Sequence, residues 1–317
     1  VGFALSSPEV LQSEERALKR RVAASIEKIR LGLSRRILKE TGGDSGAILA
    51  AVVTGKRAAI SEEAEAIFRD SGLAHLLSIS GLHMGLATGL IFFAVRAALA
   101  LIEPIALSQP IKKWSALAAL ASGAAYLLVS GAAWPAQRAF LMSSIFFVAI
   151  LADRRALTLR NVAIAAFVIV LLTPEAVLHP GFQMSFAAVT ALISFYEWAS
   201  KRADPMRSFN LIARLRRYVV GIAVTDTIAA AATAPFSLYH FSRAANFGLA
   251  ANIVSVPLMG FWVMPAAIIA IVAMPFGVDG PIWRAAAAGI EVMMRMGDWT
   301  IGLPGAVTVF RHWPPFA

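Results

Sequence analysis

Three observations predict an all-α integral membrane protein, a polytopic bundle of helices. Of the 317 residues, 58% are hydrophobic and only 15% are charged, with a mean hydropathy of +0.70. Soluble domains run near about 45–50% apolar and about 25% charged, so this chain has too few polar residues to cover its surface in water. From residue 73 onward, apolar runs follow one another at roughly the 20-residue length that crosses about 30 Å of hydrocarbon. No cysteine occurs, which excludes disulfides, thiolate metal sites and a thiol nucleophile.

Residues 1–72 have a different composition, with twelve Lys and Arg and ten Asp and Glu. Leu18, Val22, Ile26, Ile29, Leu33 and Ile37 recur at helical spacing, and Lys19, Arg20, Lys28, Arg30, Arg35 and Lys39 occupy the opposite face. Gly42-Gly43 ends this helix. Such an amphipathic helix either lies in the headgroup plane or packs on a neighbouring domain. A second, short helix starts at Ser61, whose hydroxyl can cap free N–H groups, with Glu62, Glu63 and Glu65 at the positive helix end. Gly72 stops it.

The membrane domain is expected over residues 73–317, in about seven to nine segments. Spans are predicted near 76–102, 114–133, 135–151, 160–174, 181–199, 218–240, 261–276 and 281–303. Asn246 to Gly260, containing Asn252 and Pro257, is too short to cross and too apolar for an exposed loop. It reads as a re-entrant or broken segment, tolerated where it is buried or lines a water-filled cavity. The chain starts at Val1 and ends Arg311-His312-Trp313-Pro314-Pro315, which reads as a piece of a longer polypeptide.

The formal net charge of +10 invites a nucleic-acid reading, but its location gives it another meaning. Loops 103–113, 152–160 and 200–217 hold eleven Lys and Arg against Glu103, Asp153 and Asp204. The alternate connections around 131–135 and 174–180 hold no Lys or Arg. By the positive-inside rule the three basic loops are cytoplasmic and residues 1–72 are extracytoplasmic. Net charge therefore reports orientation rather than ligand.

The densest polar cluster on the apolar background runs from His75 to Leu86. On one continuous helix His75 and His83 would stand about 12 Å apart along the axis and roughly 80° around it, which disfavours a shared metal ion. Ser80 and His83 share a face and could form a nucleophile pair, but no acid in the segment orients the histidine. Gly81, Gly85 and Gly89 form a doubled GxxxG, a helix-packing signal in lipid. His83 lies roughly off that stripe, as a pore-lining residue or as a histidine bonded to a neighbouring helix. Arg138 starts a span after Trp134-Pro135 and either faces the bundle or snorkels to the surface. Gln183 lies near another helix start, and Pro235 is expected to kink the segment ending Tyr239-His240-Phe241-Ser242-Arg243. Residues and composition alone reach only a channel or transporter.

The stretch His75-Leu-Leu-Ser-Ile-Ser-Gly-Leu-His83 resembles the signature of the ComEC family of bacterial competence proteins. It is followed in order by Arg138-Ala-Phe-Leu-Met142, Pro180-Gly-Phe-Gln-Met-Ser-Phe186, Ala234-Pro235 to Tyr239-His-Phe241, and Ala251-Asn252-Ile-Val-Ser-Val-Pro257. The resemblance covers about residues 45–275. It implies an inner-membrane channel that passes single-stranded DNA into the cytoplasm during natural transformation, working with a DNA receptor and cytoplasmic DNA-handling proteins. Full-length relatives usually add an extracytoplasmic OB-like domain and a metallo-β-lactamase-like domain. Neither is expected in this chain, which has no His-x-His-x-Asp-His motif, so no catalytic residue, metal or cofactor is predicted.

A strand-passing pore needs donors for phosphates and apolar or aromatic surface for bases, held weakly enough for release. His75, Ser80, His83, Arg138, Gln183 and Asn252 are expected along that path by motif. Arg243 joins them only by its proximity to Tyr239-His240-Phe241. Pro235 and Pro257 are expected to shape helix packing. Asp226 would repel phosphate and is expected to pair with an arginine as a structural charge. The competing readings are a small-solute or lipid permease, and an intramembrane hydrolase built on Ser80 and His83.

Overall fold

The computed structural model describes residues 14–154, 157–202 and 211–310. Arg155, the centre of the basic loop 200–217 and the stretch Arg311 to Pro315 lie outside the described residues. Helix α1 (Glu14–Thr41) and helix α2 (Gly43–Thr54) form a hairpin about Gly42 and Gly43. Both glycines have positive φ, a conformation that costs glycine no Cβ clash. Helix α3 (Glu62–Asp70) starts where Ser61 Oγ accepts the Ala64 N–H, as its sequence predicts. A single turn, α4 (Ala74–Leu77), follows.

Among the described residues nine further helices follow, all but α12 falling on the expected spans, together with one short helix and two three-residue strands. They are α5 (Gly81–Ala100), α6 (Glu103–Ser108), α7 (Ile111–Val129), α8 (Trp134–Leu151), α9 (Leu159–Leu172), α10 (Pro180–Ser200) and α11 (Leu211–Phe241). Then come β1 (Arg243–Ala245), α12 (Gly248–Leu258), α13 (Met264–Ala273), α14 (Asp279–Ile301) and β2 (Val307–Val309). The strands pair antiparallel, with Ala244 opposite Thr308. The chain is an all-α membrane protein. Among the described residues four helical runs are long and apolar enough to cross a bilayer: Gly81–Ala100, Trp134–Leu151, Arg216–Phe241 and Gly248–Phe276.

Three expectations need correction. The segment around Asn246 to Gly260 is not a separate half-length piece, because α12 runs into α13 through a π-helical turn, Met259–Val263. Pro265 lacks an N–H and its ring would crowd the carbonyl of Phe261, and a π-turn there absorbs both. Second, the region 1–72 is not amphipathic throughout: every residue of α2 from Gly46 to Thr54 is buried. Third, the glycine stripe of α5 packs on nothing among the described residues. A Cβ added at Gly81, Gly85 or Gly89 would meet no atom within 4 Å. The close approach is on α7 instead, where a Cβ on Gly123 would stand 2.9 Å from Thr88 Cγ2.

The main core is built around α2. Ile48, Leu49 and Val52 pack with Leu33 and Ile37 of α1, Phe68 of α3, and Trp283, Ile290 and Met293 of α14. The same cluster takes in Ala87 of α5 and Ala267 of α13, so residues on both sides of position 72 share one core. Val22 and Ile29 of α1 remain exposed. Its buried stripe covers only the second half of the helix.

The remaining helices follow a different plan. Contacts run from α5 to α8, α9, α10, α11, α12, α13 and back to α5, while among the described residues helices on opposite sides of this circuit touch weakly or not at all. Lys113 Nζ bonds Asp153 Oδ2 at 2.6 Å, joining the start of α7 to the end of α8 at the pole that carries the basic loops. At the opposite pole Arg30 of α1 donates to Thr54 O at the end of α2 and Val129 O at the end of α7, both at 3.0 Å.

Candidate functional site

The sequence cluster at His75 divides between two helices. Ser78 and Ser80 are extended, so His75 sits on α4 and His83 in the first turn of α5. His75 is exposed, with Nδ1 3.2 Å from Gly72 O. His83 is wholly buried. Its Nδ1 receives the Ser80 N–H at 3.4 Å and lies 3.2 Å from Ser80 Oγ, so a histidine takes the place usually held by Glu or Gln in a capping box. With Nδ1 accepting, Nε2 carries the proton, and this buried donor has no partner among the described residues. The serine and histidine that could have formed a nucleophile pair are thus engaged in starting a helix.

Arg138 lies one turn into α8, after Pro135. Its guanidinium rests against the start of α10, where a Cβ on Gly181 would meet Nη2 at 2.6 Å. Glycine at 181 makes that approach possible. The side chain turns toward the bundle rather than snorkelling outward. Among the described residues it has no hydrogen bond or ion pair, and its buried Nε is unpartnered.

The first turn of α10 carries two polar side chains, His179 at its cap and Gln183. His179 Nδ1 accepts the Gly181 N–H at 3.1 Å, and Pro180 opens the helix without an N–H to satisfy. Gln183 Nε2 donates to Val177 O at 3.0 Å, and its Oε1 lies 2.8 Å from His240 Nε2 near the end of α11. Arg138 of α8 and His240 of α11 therefore both reach the start of α10, the first against Gly181 and the second on Gln183. Guanidinium, helix N-terminus and imidazole all favour a negative oxygen.

Asn252 stands on α12 and donates from Nδ2 to Asp226 Oδ1 at 2.7 Å. The arginine partner expected for Asp226 is therefore replaced by an amide, and no ion pair includes Asp226 among the described residues. Pro235 does not interrupt α11, which continues to Phe241. Arg243 does not lie free along a path. It bonds Asp70 Oδ1 at 2.6 Å, and Asp70 is also held by Arg69 at 2.9 Å. The hydrogen bond from Arg69, with the two guanidinium charges, holds the Asp70 carboxyl below the usual carboxylate range.

Three residues at this site were less visible in the sequence. His179 and Gly181 flank Pro180, and the pattern of cap, N1 proline and small residue could have marked a helix start built to accept a side chain. His240 gave a signal only as a polar residue between Tyr239 and Phe241.

Residues 52–317 match the Competence protein family. The chain belongs to this family. It is 26% identical over 243 residues to ComE operon protein 3 of Bacillus subtilis (strain 168), covering 75% of this chain and 28% of that protein. It is 29% identical over 257 residues to Competence protein ComA of Neisseria gonorrhoeae, covering 81% of this chain and 34% of the relative. It is also 26% identical over 241 residues to the uncharacterized protein YcaI of Escherichia coli (strain K12), covering 74% and 30%. The chain thus spans about a third of the length of these curated relatives. No solved structure matches it. In this competence protein the family match begins near the end of α2 and takes in the whole helical circuit.

Proposed function

We propose that this competence protein is a channel of the bacterial inner membrane that carries single-stranded DNA into the cytoplasm during natural transformation. The observation that carries the reading is the closed circuit of seven helices with an arginine at one pole that is unpaired among the described residues and rests on Gly181, in the same first turn of α10 as Gln183. A single guanidinium among neutral donors attracts phosphate without trapping it, as conduction of a polyanion requires. The basic loops are cytoplasmic and residues 14–72 extracytoplasmic by the positive-inside rule, which puts Arg138 at the entry. The partners in this reading are single-stranded DNA, a DNA receptor outside and DNA-handling proteins inside. No step in it is catalytic.

Replacing Arg138 with Ala, at equal membrane abundance, removes one charge-assisted contact, so uptake of labelled DNA should fall about ten- to a hundredfold. Unchanged uptake would remove Arg138 from the path. A reporter fused near residue 50 should give an extracytoplasmic signal, and a cytoplasmic one would invert the orientation.

One feature favours a lipid permease as a second reading. A cavity of about 1090 Å³ between α8 and α9 joins apolar Leu141, Ile145 and Val148 to Arg154 and Arg160, a pattern that suits an acyl chain with a phosphate headgroup. Lipid exchange between leaflets by the reconstituted chain, without DNA uptake in cells, would select it.

A further inference from the structure

Asp226 is the middle residue of the 31-residue α11, about 22 Å of helix from either end. A carboxylate at that depth is costly unless a cation or a proton neutralises it. No cation bonds it among the described residues. Its partner is Asn252, itself only 8% exposed, which donates one amide N–H to Asp226 Oδ1 at 2.7 Å. The other end of that amide is the informative part. Asn252 Oδ1 is buried and has no donor among the described residues, and neither has Ser255 Oγ one turn further along α12, on a residue with no exposed surface.

An ionised carboxylate only accepts hydrogen bonds, so it cannot satisfy Asn252 Oδ1. A protonated carboxyl can. With Asp226 Oδ2 carrying hydrogen, O–H to Asn252 Oδ1 and N–H to Asp226 Oδ1 close an acid–amide ring that satisfies both side chains and leaves no charge in the membrane. The pair also borders a cavity of about 420 Å³ lined by Arg217, Tyr218, Thr225 and Val256. That space has room for several waters. The titratable and charged groups facing the pair are few. Arg217 and Tyr218 lie about two turns or more along α11, and Tyr196 of α10 bonds Thr225 through its hydroxyl. Glu197 of α10 lines the other cavity. Helix α12 contributes no titratable residue, and β1 contributes Arg243, which is held by Asp70.

We propose that Asp226 and Asn252 form a proton-binding site in the middle of the membrane, with Asp226 held as the neutral acid and exchanging its proton with water in the adjacent cavity. On release, the proton passes to that water, Asp226 becomes an anion, and the ring between α11 and α12 opens on one side. Binding reverses each step. Because α11 and α12 are adjacent members of the helical circuit, gain or loss of this proton changes a contact in the wall of the path.

The test uses the full chain in lipid nanodiscs, without DNA, so its outcome is independent of the strand-passage reading. Infrared difference spectra between neutral and alkaline pH should show a protonated carboxyl C=O band at neutral pH that shifts in D2O. Asp226→Asn should remove the band while keeping the fold, since two amides can close the same ring. Asn252→Val should shift its frequency and move its disappearance to a different pH, a reading that does not depend on the first variant. Absence of the band from wild type at neutral pH, or its persistence in Asp226→Asn, overturns the proposal. So does loss of the band on replacing choline with sodium, which would make the ligand a metal cation.

Discussion

The two sides of the molecule hold together by different means. Around α2 the helices are locked by volume: Ile48, Leu49, Trp283 and Met293 are wholly buried, and α2 has no exposed residue between Gly46 and Thr54. Along α9 to α11 burial is sparse. Helix α10 buries only Phe186, and the span Arg216–Phe241 buries nothing. What holds that side is a short set of polar links, Gln183 to His240, Tyr196 to Thr225 and Asn252 to Asp226, with a small cluster of Ala165, Ile169 and Phe186. In lipid, an apolar side chain gains little by leaving the hydrocarbon for another helix, so packing and polar links rather than hydrophobic burial decide association. One side is held by buried volume, the other by a few polar links.

The largest break in this contrast comes from truncating the packed side. Trp283→Ala removes a fully buried ring and the indole N–H that donates to Asp279 Oδ2 at 3.0 Å, and should cost about 3–5 kcal/mol. Phe167→Ala on α9, at a ring 68% exposed, should stay within about 0.5 kcal/mol. Thermal unfolding of the two variants in the same detergent compares them, and equal losses would erase the distinction between the sides.

Glycine offers the next test. Gly123→Leu must displace Thr88 and Phe140, whose atoms stand 2.9 and 3.3 Å from the added Cβ, and overpacking of this kind costs about 1–3 kcal/mol. Gly85→Leu meets nothing and should leave the monomer's unfolding temperature unchanged or raise it. A loss at Gly85 as large as at Gly123 would mean that a neighbour covers the α5 stripe.

On the open side the polar links carry the effect. Gln183→Leu removes the bonds to Val177 O and His240 at once and should destabilise the chain by about 1 kcal/mol. Limited proteolysis should register it as increased cleavage confined to the α10–α11 hairpin. Cleavage spread through α1 and α2 instead would show that the two sides are not independent.

Much of this division was legible in the sequence, and the misses have physical causes. Hydropathy found α5 and α7 to α11 because lipid demands a long apolar stretch whatever its partners. Helix α2 was hidden because its twelve residues are too short to span, and its burial depends on α14, more than two hundred residues away. Pro257 and Gly260 read as breakers, and a π-turn carried the helix past them. The strands β1 and β2 are three residues each, too short to show an alternation. The spacing of Gly81, Gly85 and Gly89 fixed a face correctly but not whether anything sits on it. Among the candidate residues, Arg138 and Gln183 were found by motif, and the structure places the first against Gly181 and the second on His240. The bond from Asn252 to Asp226 and the capture of Arg243 by Asp70 are contacts between helices or strands that no local pattern encodes.

The smallest expected effect is at the seam between the two sides, where Asp70 at the end of α3 binds Arg243 of β1. Its carboxyl is held below the ordinary range, chiefly by the hydrogen bond from Arg69. A depressed carboxyl stabilises the folded state above its unfolded value, near about 4, and that contribution is lost as pH falls through the folded value. Acid should therefore loosen the seam while neutral and alkaline pH leave it intact. The unfolding temperature of wild type should drop slightly on acidification below the ordinary aspartate range. In Asp70→Asn that part of the slope should vanish, because the amide keeps its shape but no longer titrates. An unchanged slope in Asp70→Asn would locate the acid sensitivity elsewhere, and the ribbon of β1 and β2 would then hold α11 to the packed side by its backbone bonds alone.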